Sequence, residues 1–189
     1  MKTILFATTN SRKIQEANET LAPSGLTVEP RSIDIDEIQH HDSAEIAKAK
    51  ARAAYEVVQT PVVVQDTSWE IPALGGFPGG YMKDVANWFT PQDWMTLLSR
   101  HEDRTIFCLE HVAYYDGKDI AHFQSRYTGT FVTEPRGNDG DSIDKTVTLF
   151  DNKTMAEMHD EGKVASASTI LAHWQQFADW YKEAHPEQD

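Results

Sequence analysis

Short apolar runs and amphipathic segments alternate along this chain, a pattern typical of a mixed α/β fold. Residues 3–7 form an apolar run that predicts a strand, and a helix is predicted from about Arg12 to Leu21. Residues 26–37 indicate an extended segment that ends in acidic side chains. A second helix is predicted over Ser43–Val58, followed by a buried strand over Pro61–Gln65.

The second half of the chain predicts a long antiparallel hairpin. Two strand-like runs, Thr105–Asp116 and Lys118–Val132, flank the dipeptide Asp116-Gly117. That dipeptide is typical of a type I′ turn, because Gly adopts the positive φ that such a turn requires. The other predicted elements are two helices over about 90–100 and 168–184 and a strand over 146–150.

The final helix places a set of apolar side chains on one face, which favours packing in the core or against a second copy of the chain. They are Ile170, Trp174, Phe177, Ala178 and Tyr181. The residues after His185 are polar, and we expect this tail to be disordered. Together the elements predict one α/β domain over residues 1–189.

The predicted helix Ser43–Val58 carries a lysine at an unusual position. At 3.6 residues per turn, Ile46, Ala53 and Val57 define its apolar stripe, and Lys50 falls in the middle of that stripe. A buried ammonium needs a partner unless its stem lets it reach water. We expect a carboxylate or a ligand phosphate as that partner.

The composition limits the classes of function. The chain is 40% hydrophobic with a formal net charge of −13, which suits a globular protein but not a nucleic-acid binder that needs a basic face. The single cysteine, Cys108, allows no disulfide within the chain. The first apolar run is too short for a signal peptide and no segment has the length of a membrane span. We therefore expect a cytoplasmic protein without a membrane partner.

Asp66 follows the predicted strand Pro61–Gln65, so we expect its carboxylate at a strand end, where open α/β sheets place ligand crevices. A glycine-rich stretch, Gly75–Gly80, follows and allows a close approach of the backbone to another group. The combination suits a metal or phosphate site. A structural turn explains the local pattern equally well.

The segment between the first strand and the first helix is a candidate anion site. Residues 8–11, Thr-Thr-Asn-Ser, lead into the helix, where free backbone N–H groups and the helix dipole favour negative charge. Lys13 lies in the first turn, where its charge opposes the dipole. A bound anion explains that position better than a solvated lysine does.

Several familiar motifs are excluded by spacing. No Lys-Ser/Thr pair follows the glycines, so the stretch is not a Walker P-loop, and the eight histidines contain no H-E-x-x-H zinc motif. Asp139, Asp141 and Asp144 resemble a calcium loop but lack its final Glu, which favours a solvated acidic loop. Acidic residues 34–37 and Asp66 remain as oxygen ligands for Mg²⁺ or Mn²⁺, which suits hydrolysis of a phosphoanhydride.

Several segments resemble the inosine triphosphate pyrophosphatase family, enzymes that hydrolyse non-standard purine nucleoside triphosphates to monophosphate and pyrophosphate. The segments are Ala7–Lys13, Glu45–Ala51, Val64–Thr67, Ala73–Gly79 and Lys153–Met158. They keep a consistent order over roughly residues 3–165. The resemblance implies an elongated mixed α/β sheet with flanking helices, two lobes around a nucleotide cleft, and a homodimer.

The resemblance also implies a role for each matching residue. Glu37 and Asp66 would hold Mg²⁺ or Mn²⁺, and Asp66 would be catalytic because it also positions or deprotonates the attacking water. The implied substrate-binding residues are Thr8, Thr9, Asn10, Lys13, Lys50, Thr67, Asp144 and Lys163. The expected ligand is a nucleoside triphosphate rather than a nucleic-acid polymer.

The base-recognition motifs of that family are not matched in this chain. Gly140–Lys145 replaces a segment rich in aromatic residues, although Asp144 is kept, and residues 167–169 replace Ser-His-Arg. Stacking on an aromatic side chain contributes about 1–3 kcal/mol per base, so we expect no strong preference for inosine and xanthosine triphosphates. The aromatic residues that are candidates to substitute are Trp69, Phe77 and Trp174.

Two alternatives to this function stay open. One is a non-catalytic nucleotide-binding or regulatory protein on the same scaffold, suggested by Gln65, which stands where an acid is common in the family. The other is a pyrophosphatase for a different modified nucleotide. Retention of Asp66, Lys50 and Lys163 together favours catalysis.

Overall fold

The computed structural model describes residues 1–162 and 171–186, and within them the chain forms one mixed sheet with flanking helices. Its strands are β1 (Lys2–Ala7), β2 (Leu26–Arg31), β3 (Val62–Glu70), β4 (Pro78–Gly79), β5 (Thr105–Tyr115), β6 (Ile120–Phe131) and β7 (Val147–Thr148). Its α-helices are α1 (Ser11–Leu21), α2 (Ser43–Val58), α3 (Met82–Trp88), α4 (Pro91–Leu97), α5 (Met155–Asp160) and α6 (Ala172–Ala184).

The sheet has a parallel part and an antiparallel part, in the order β2-β1-β3-β5-β6-β7, with the short β4 paired to β3. β1 and β2 are parallel along their full length, whereas β1 meets β3 only at Leu5–Val62 and Phe6–Val63. β3 is antiparallel to β5 from Val62 to Glu70. The predicted mixed sheet is confirmed, and the divergence of β3 from β1 opens a crevice between the two parts.

The predicted hairpin is confirmed as β5 and β6, but its turn differs from the prediction. Tyr115 pairs with Ile120, so residues 116–119 connect the strands and a two-residue type I′ turn is wrong. The Asp116 carboxylate accepts hydrogen bonds from the backbone N–H groups of Lys118 (2.8 Å) and Asp119 (2.7 Å). An Asp side chain that closes its own turn in this way favours the longer connection.

Polar side chains cap the N-termini of several helices. Asn10 accepts hydrogen bonds from the backbone N–H groups at the start of α1, and Asp42 does the same for α2. Thr90 and Asp93 form a reciprocal capping box at the start of α4. That helix ends at Leu97, before the predicted end near residue 100.

Helices cover both faces of the sheet. α1 and α6 pack on one face, where the rings of Phe6 and Trp174 meet edge to face with centroids 5.3 Å apart. α2 packs on the opposite face, and a further cluster surrounds Trp94 between α3, α4 and the far end of the hairpin. The core is thus divided between two lobes. None of the helices in the described residues is long and apolar enough to cross a lipid bilayer.

The buried face of α2 differs from the predicted stripe. Val57 is 60% exposed and Ala53 is only partly buried, so the predicted stripe is wrong apart from Ile46. The residues of α2 in contact with the sheet are chiefly the alanines Ala47, Ala51 and Ala54. Small side chains let a helix lie close to a sheet, so the larger Val57 is turned outward. In α6, by contrast, the predicted aromatic face is confirmed for the residues that the structure describes; Ile170 lies outside them.

Candidate functional site

Asp66 lies in the middle of β3, so the prediction that it ends a strand is wrong. Pairing with β5 extends β3 to Glu70, which the sequence of the strand alone did not indicate. The crevice is nevertheless where it was expected, because β1 leaves β3 after Val63 and Asp66 comes just past that point. The Asp66 side chain is 23% exposed, and its Oδ1 lies 3.7 Å from the Nζ of Lys50 on α2.

Lys50 joins two carboxylates into one cluster. Its Nζ lies 2.5 Å from Glu37 Oε1 and 3.7 Å from Asp66 Oδ1, so the partner expected for this lysine includes carboxylates. Burial raises the pKa of Glu37, but the hydrogen bonds and charges of Lys50 and Lys83 outweigh this and leave that pKa below its ordinary value. The Glu37 carboxyl is therefore ionised at neutral pH.

Lys83 is a site residue that the sequence motifs did not indicate. It projects from α3, and its Nζ lies 3.1 Å from the second oxygen of Glu37. Its side chain is 76% exposed, so the ammonium remains accessible to a ligand. The signal in the sequence was a lysine just after the glycine-rich stretch, although its spacing from the glycines differs from that of a Walker P-loop.

The N-terminus of α1 adds a third lysine to the same region. Lys13 Nζ donates a hydrogen bond to the backbone oxygen of Gln65 at 3.3 Å, which places it beside β3. The backbone N–H of Asn10 donates to Thr8 Oγ1 at 3.2 Å, and the Asn10 side chain caps the helix. The predicted anion segment therefore begins a helix that points into the crevice.

These residues line a polar cavity of about 470 Å³ between α1, α2 and the connection that follows β2. The predicted site residues in its wall are Thr8, Thr9, Asn10, Lys13, Glu37 and Lys50. Asp66 contacts this group through Lys50. The structure thus brings together most of the residues for which phosphate or metal binding was predicted.

A second cavity of about 290 Å³ adjoins the polar one and extends toward the hairpin. Both cavities are lined by Asn10, Lys13, Gln65 and Lys83. The apolar residues in the wall of the second cavity are Trp69, Met82, Ala86, Ile143, Leu149, Phe150, Met155 and Leu171. Of the three candidate stacking residues, only Trp69 lines it; Trp174 is buried in the core, where its Nε1 donates to Gln65 Oε1 at 3.2 Å.

Thr67 and Asp144, two predicted substrate-binding residues, lie in this second cavity rather than in the polar one. The Asp144 carboxylate accepts a hydrogen bond from the backbone N–H of Asp141 at 2.9 Å. Burial outweighs that bond and raises the pKa of Asp144 to about 6. Lys163, the remaining predicted site residue, lies outside the described residues.

Glu110 is a second residue that the motifs did not indicate. It lies on β5 opposite Thr67, and the Thr67 hydroxyl donates to its carboxylate at 2.9 and 3.0 Å. Burial raises the pKa of Glu110, while Lys13 and the hydrogen bonds from Gln65 and Thr67 oppose that rise. The available signal was an acidic residue inside an apolar strand, which normally requires partners.

The carboxylates of this cluster are candidate ligands for a divalent cation. No group of three or more His, Cys, Asp or Glu side chains suitable for a metal occurs within residues 1–162 and 171–186. Glu37 and Asp66, however, converge on one ammonium, so the site already accommodates positive charge between these two carboxylates. Mg²⁺ is typically held by one or two carboxylates together with substrate phosphates and water. The pair therefore fits Mg²⁺ or Mn²⁺ bound jointly with a phosphate ligand.

Comparison with known proteins gives the chain a family. The model of the Ham1 family matches residues 4–174, most of the sequence. The chain belongs to the Ham1 family. A dITP/XTP pyrophosphatase of Methanopyrus kandleri is 34% identical to this Ham1-family protein over 182 residues, covering 95% of the chain and 96% of that relative.

Two further relatives agree with the resemblance drawn from the motifs. A dITP/XTP pyrophosphatase of Hyperthermus butylicus is 33% identical over 163 residues, covering 86% of each protein. An inosine triphosphate pyrophosphatase of Yarrowia lipolytica is 32% identical over 175 residues, covering 89% of this chain and 90% of the relative. The predicted family is confirmed.

Solved structures confirm the fold as well. A HAM1 protein from Coxiella burnetii superimposes with a TM-score of 0.76 at 22% identity, covering 97% of this chain and 100% of that structure. The Ham1 protein of Staphylococcus aureus gives a TM-score of 0.71 at 21% identity, covering 96% and 100%. The mixed sheet with flanking helices is therefore the architecture of this family.

Proposed function

We propose that this Ham1-family protein is a metal-dependent nucleoside-triphosphate pyrophosphatase. It would hydrolyse the bond between the α- and β-phosphates and release a nucleoside monophosphate and pyrophosphate. The observation that carries the proposal is the pair of adjoining cavities, one polar and lysine-rich, the other lined by aromatic and aliphatic side chains together with polar ones. A nucleoside triphosphate likewise combines an anionic phosphate chain with a nucleobase. Two relatives of this protein are named as dITP/XTP pyrophosphatases.

The polar cavity supports the phosphate half of the proposal. The chain has a formal net charge of −13, yet Lys13, Lys50 and Lys83 gather around one cavity. The N-terminus of α1 points there as well, with backbone N–H groups suited to phosphate oxygens. A cluster of lysines in an acidic protein indicates a local requirement for anion binding rather than a general surface property.

Asp66 would act on water beside the phosphate chain. Glu37 and Asp66 would hold Mg²⁺, which when bound neutralises phosphate charge and lowers the pKa of coordinated water. The Asp66 carboxylate would accept a proton from the attacking water as the water oxygen bonds to the α-phosphorus. The bond from that phosphorus to the bridging oxygen then breaks, and pyrophosphate leaves with both bonding electrons. Lys13, Lys50 and Lys83 would stabilise the negative charge of the leaving group.

The second cavity supports the base half. Trp69, Tyr127 and Phe150 contribute aromatic side chains to it, and Met82 and Ile143 add apolar surface. A volume of about 290 Å³ accommodates a purine or a pyrimidine. These side chains would replace in part the aromatic residues missing from the Gly140–Lys145 segment.

The test is an assay of pyrophosphate and of inorganic phosphate released from a panel of nucleoside triphosphates with and without Mg²⁺. The proposal requires equal amounts of pyrophosphate and nucleoside monophosphate to be released. It also requires hydrolysis to stop when a chelator removes the metal ion. Asp66→Asn should lower kcat at least about tenfold, or 1.4 kcal/mol. The matched control is Asp119→Asn, since Asp119 is an exposed acid in the turn between β5 and β6 and lines neither cavity.

Two results would reject this function in different ways. Tight nucleotide binding without any hydrolysis would favour the non-catalytic alternative on the same scaffold. Release of inorganic phosphate alone would instead show that the terminal phosphate is removed and that the cleavage site is wrong.

A further inference from the structure

The cavity proposed for the nucleobase contains a carboxylate whose hydrogen-bonding orientation is fixed by its neighbours. Glu110 lines this cavity and is partly buried on β5. Gln65 Nε2 donates to Glu110 Oε2 at 2.9 Å, and the Thr67 hydroxyl donates to the same carboxylate. The Cys108 Sγ lies 3.7 Å from Oε1 and adds a weak donor.

The amide of Gln65 cannot be turned round without losing a bond. Its oxygen accepts a hydrogen bond from the indole Nε1 of Trp174 at 3.2 Å, and an indole is a donor only. The Gln65 nitrogen must therefore face Glu110. Since Trp174 is fully buried in the core, this arrangement is held from behind by the packing of α6.

Glu110 consequently presents itself to the cavity as an acceptor. Every protein group that contacts its carboxylate in the described residues is a donor: an amide N–H, a hydroxyl and a thiol. Each carboxylate oxygen can accept more than one hydrogen bond, and Oε1 receives only a shared hydroxyl and a weak thiol contact. The remaining capacity is available to a donor supplied by a ligand.

Besides Glu110, the same cavity is lined by a buried histidine with an unpaired ring nitrogen in the part of the chain that the structure describes. His173 is 0% exposed and lines the cavity, and among the described residues nothing hydrogen-bonds its Nε2. Its Nδ1 lies 3.4 Å from the Tyr127 hydroxyl, which leaves Nε2 as the free atom. Unpaired polar atoms in a buried position carry a free-energy cost, which a polar ligand would remove. The cavity wall thus offers hydrogen-bonding groups to the polar edges of a ligand as well as apolar side chains to its faces.

We propose that Glu110 is a specificity-determining residue that accepts a hydrogen bond from an exocyclic amino group of the nucleobase. This inference rests on the function proposed above. Bases with an exocyclic amino group (guanine, adenine or cytosine) would be preferred over otherwise similar bases that lack the amino group or carry oxygen in its place. An oxo group opposite Glu110 would bring two acceptors together, and a missing amino group would leave the carboxylate without its donor.

The experiment compares kcat/KM for matched nucleotides with Mg²⁺: GTP against ITP, ATP against ITP, and CTP against UTP. GTP differs from ITP only by its 2-amino group, whereas the other pairs exchange amino for oxo. We expect the amino member of at least one pair to be preferred by about tenfold or more. If the member without the amino group equals or exceeds the amino member in all three pairs, the inference is wrong.

A matched variant locates the effect at Glu110. In Glu110→Gln the new carbonyl can still accept from Gln65 and Thr67, so the amide nitrogen turns toward the cavity and becomes a donor. In the pair that shows the preference, the ratio of kcat/KM should then shift by about tenfold or more toward the member without the amino group, while Glu102→Gln, at an exposed position, should leave that ratio unaltered. An unchanged ratio in a folded Glu110→Gln variant would also overturn the inference.

The outcomes separate this inference from the proposed function. No pyrophosphate from any nucleotide rejects the function itself. Pyrophosphate release without an amino preference rejects only the role of Glu110. If Glu110→Gln does not fold, calorimetric binding of GMP and IMP to the unmodified protein gives the same comparison, and equal affinities count against the inference.

Discussion

The ammonium of Lys50 lies 2.5 Å from the carboxylate of Glu37, although the two residues are 13 positions apart and belong to different segments. This ion pair ties α2 to the connection that follows β2. It also brings Lys50 within 3.7 Å of Asp66 on β3. One lysine therefore holds together the two carboxylates for which metal binding is proposed.

Replacement of Lys50 by Met tests whether this lysine also binds phosphate. Met keeps most of the aliphatic stem and removes the charge, so triphosphate affinity should fall about tenfold or more as one charge-assisted contact is lost. The free energy of unfolding should fall by only about 1 kcal/mol, because Glu37 keeps Lys83 at 3.1 Å and the pair is partly solvated.

Calorimetric titration with a triphosphate and a denaturant melt measure the two effects of Lys50→Met. The control is Lys48→Met on the same helix, which removes a lysine that pairs with Glu45 at 2.8 Å and lines neither cavity. Equal affinities of the Lys50 and Lys48 variants would show that Lys50 serves the fold alone.

Asp144 makes stability depend on pH in a predictable direction. Its pKa is raised from 3.8 to about 6 by burial, so the folded state binds more protons than the unfolded state between these two values. The folded state is thus penalised above pH 6, and that penalty is relieved as pH falls toward 4. Asp144→Asn should raise the free energy of unfolding by about 1–3 kcal/mol at pH 8, with no gain below about pH 4.

Denaturant melts of Asp144→Asn across this pH range measure the effect. Asn keeps an acceptor for the Asp141 N–H, so the comparison isolates the charge. Asp141→Asn, at an exposed neighbour, should show no comparable dependence. A variant that is less stable than the parent protein at pH 8 would contradict the assignment of a buried, unfavourable charge.

Much of the fold could be predicted because its signals are local. Asn10 caps α1 and Asp42 caps α2 through side chains within three residues of the bonds they make. The alternation and β-branching of β5 and β6 likewise act within each strand. Helices α3 and α5 were not predicted, because each is too short to show an apolar stripe in the sequence. The equally short α4 was predicted because Pro91 follows its cap Thr90.

The parts of the site that sequence reasoning missed are set by contacts between distant segments. Lys83 acquires its role from Glu37, 46 positions away, and Glu110 from Gln65, 45 positions away. The length of β3 past Asp66 depends on its pairing with β5. No local pattern contains these relationships, whereas Lys50 was found because its own helix places it beside apolar neighbours.

The hydrogen bond between Trp94 and Ser142 tests what stabilises the cluster around Trp94, between α3, α4 and the far end of the hairpin. Trp94 is fully buried, and its indole N–H donates to Ser142 Oγ at 3.0 Å. Ser142→Ala removes the acceptor and leaves that N–H unpaired in the core, which should lower the free energy of unfolding by about 1–3 kcal/mol. In a Trp94→Phe background the N–H is already gone, so the same serine substitution should cost much less.

The double-mutant cycle is measured by denaturant unfolding of the four proteins at one pH. Ser142 lies between Asp141 and Ile143, which line the second cavity, so weaker packing here should also loosen that wall. We therefore expect Ser142→Ala to raise KM more than it lowers kcat, since Lys50 and the Asp66 carboxylate that it contacts lie at the polar cavity. Equal losses of stability on Ser142→Ala in the parent protein and in Trp94→Phe would show that the indole hydrogen bond does not stabilise the cluster around Trp94. The cavity wall would then depend on the apolar contacts of Trp94 alone.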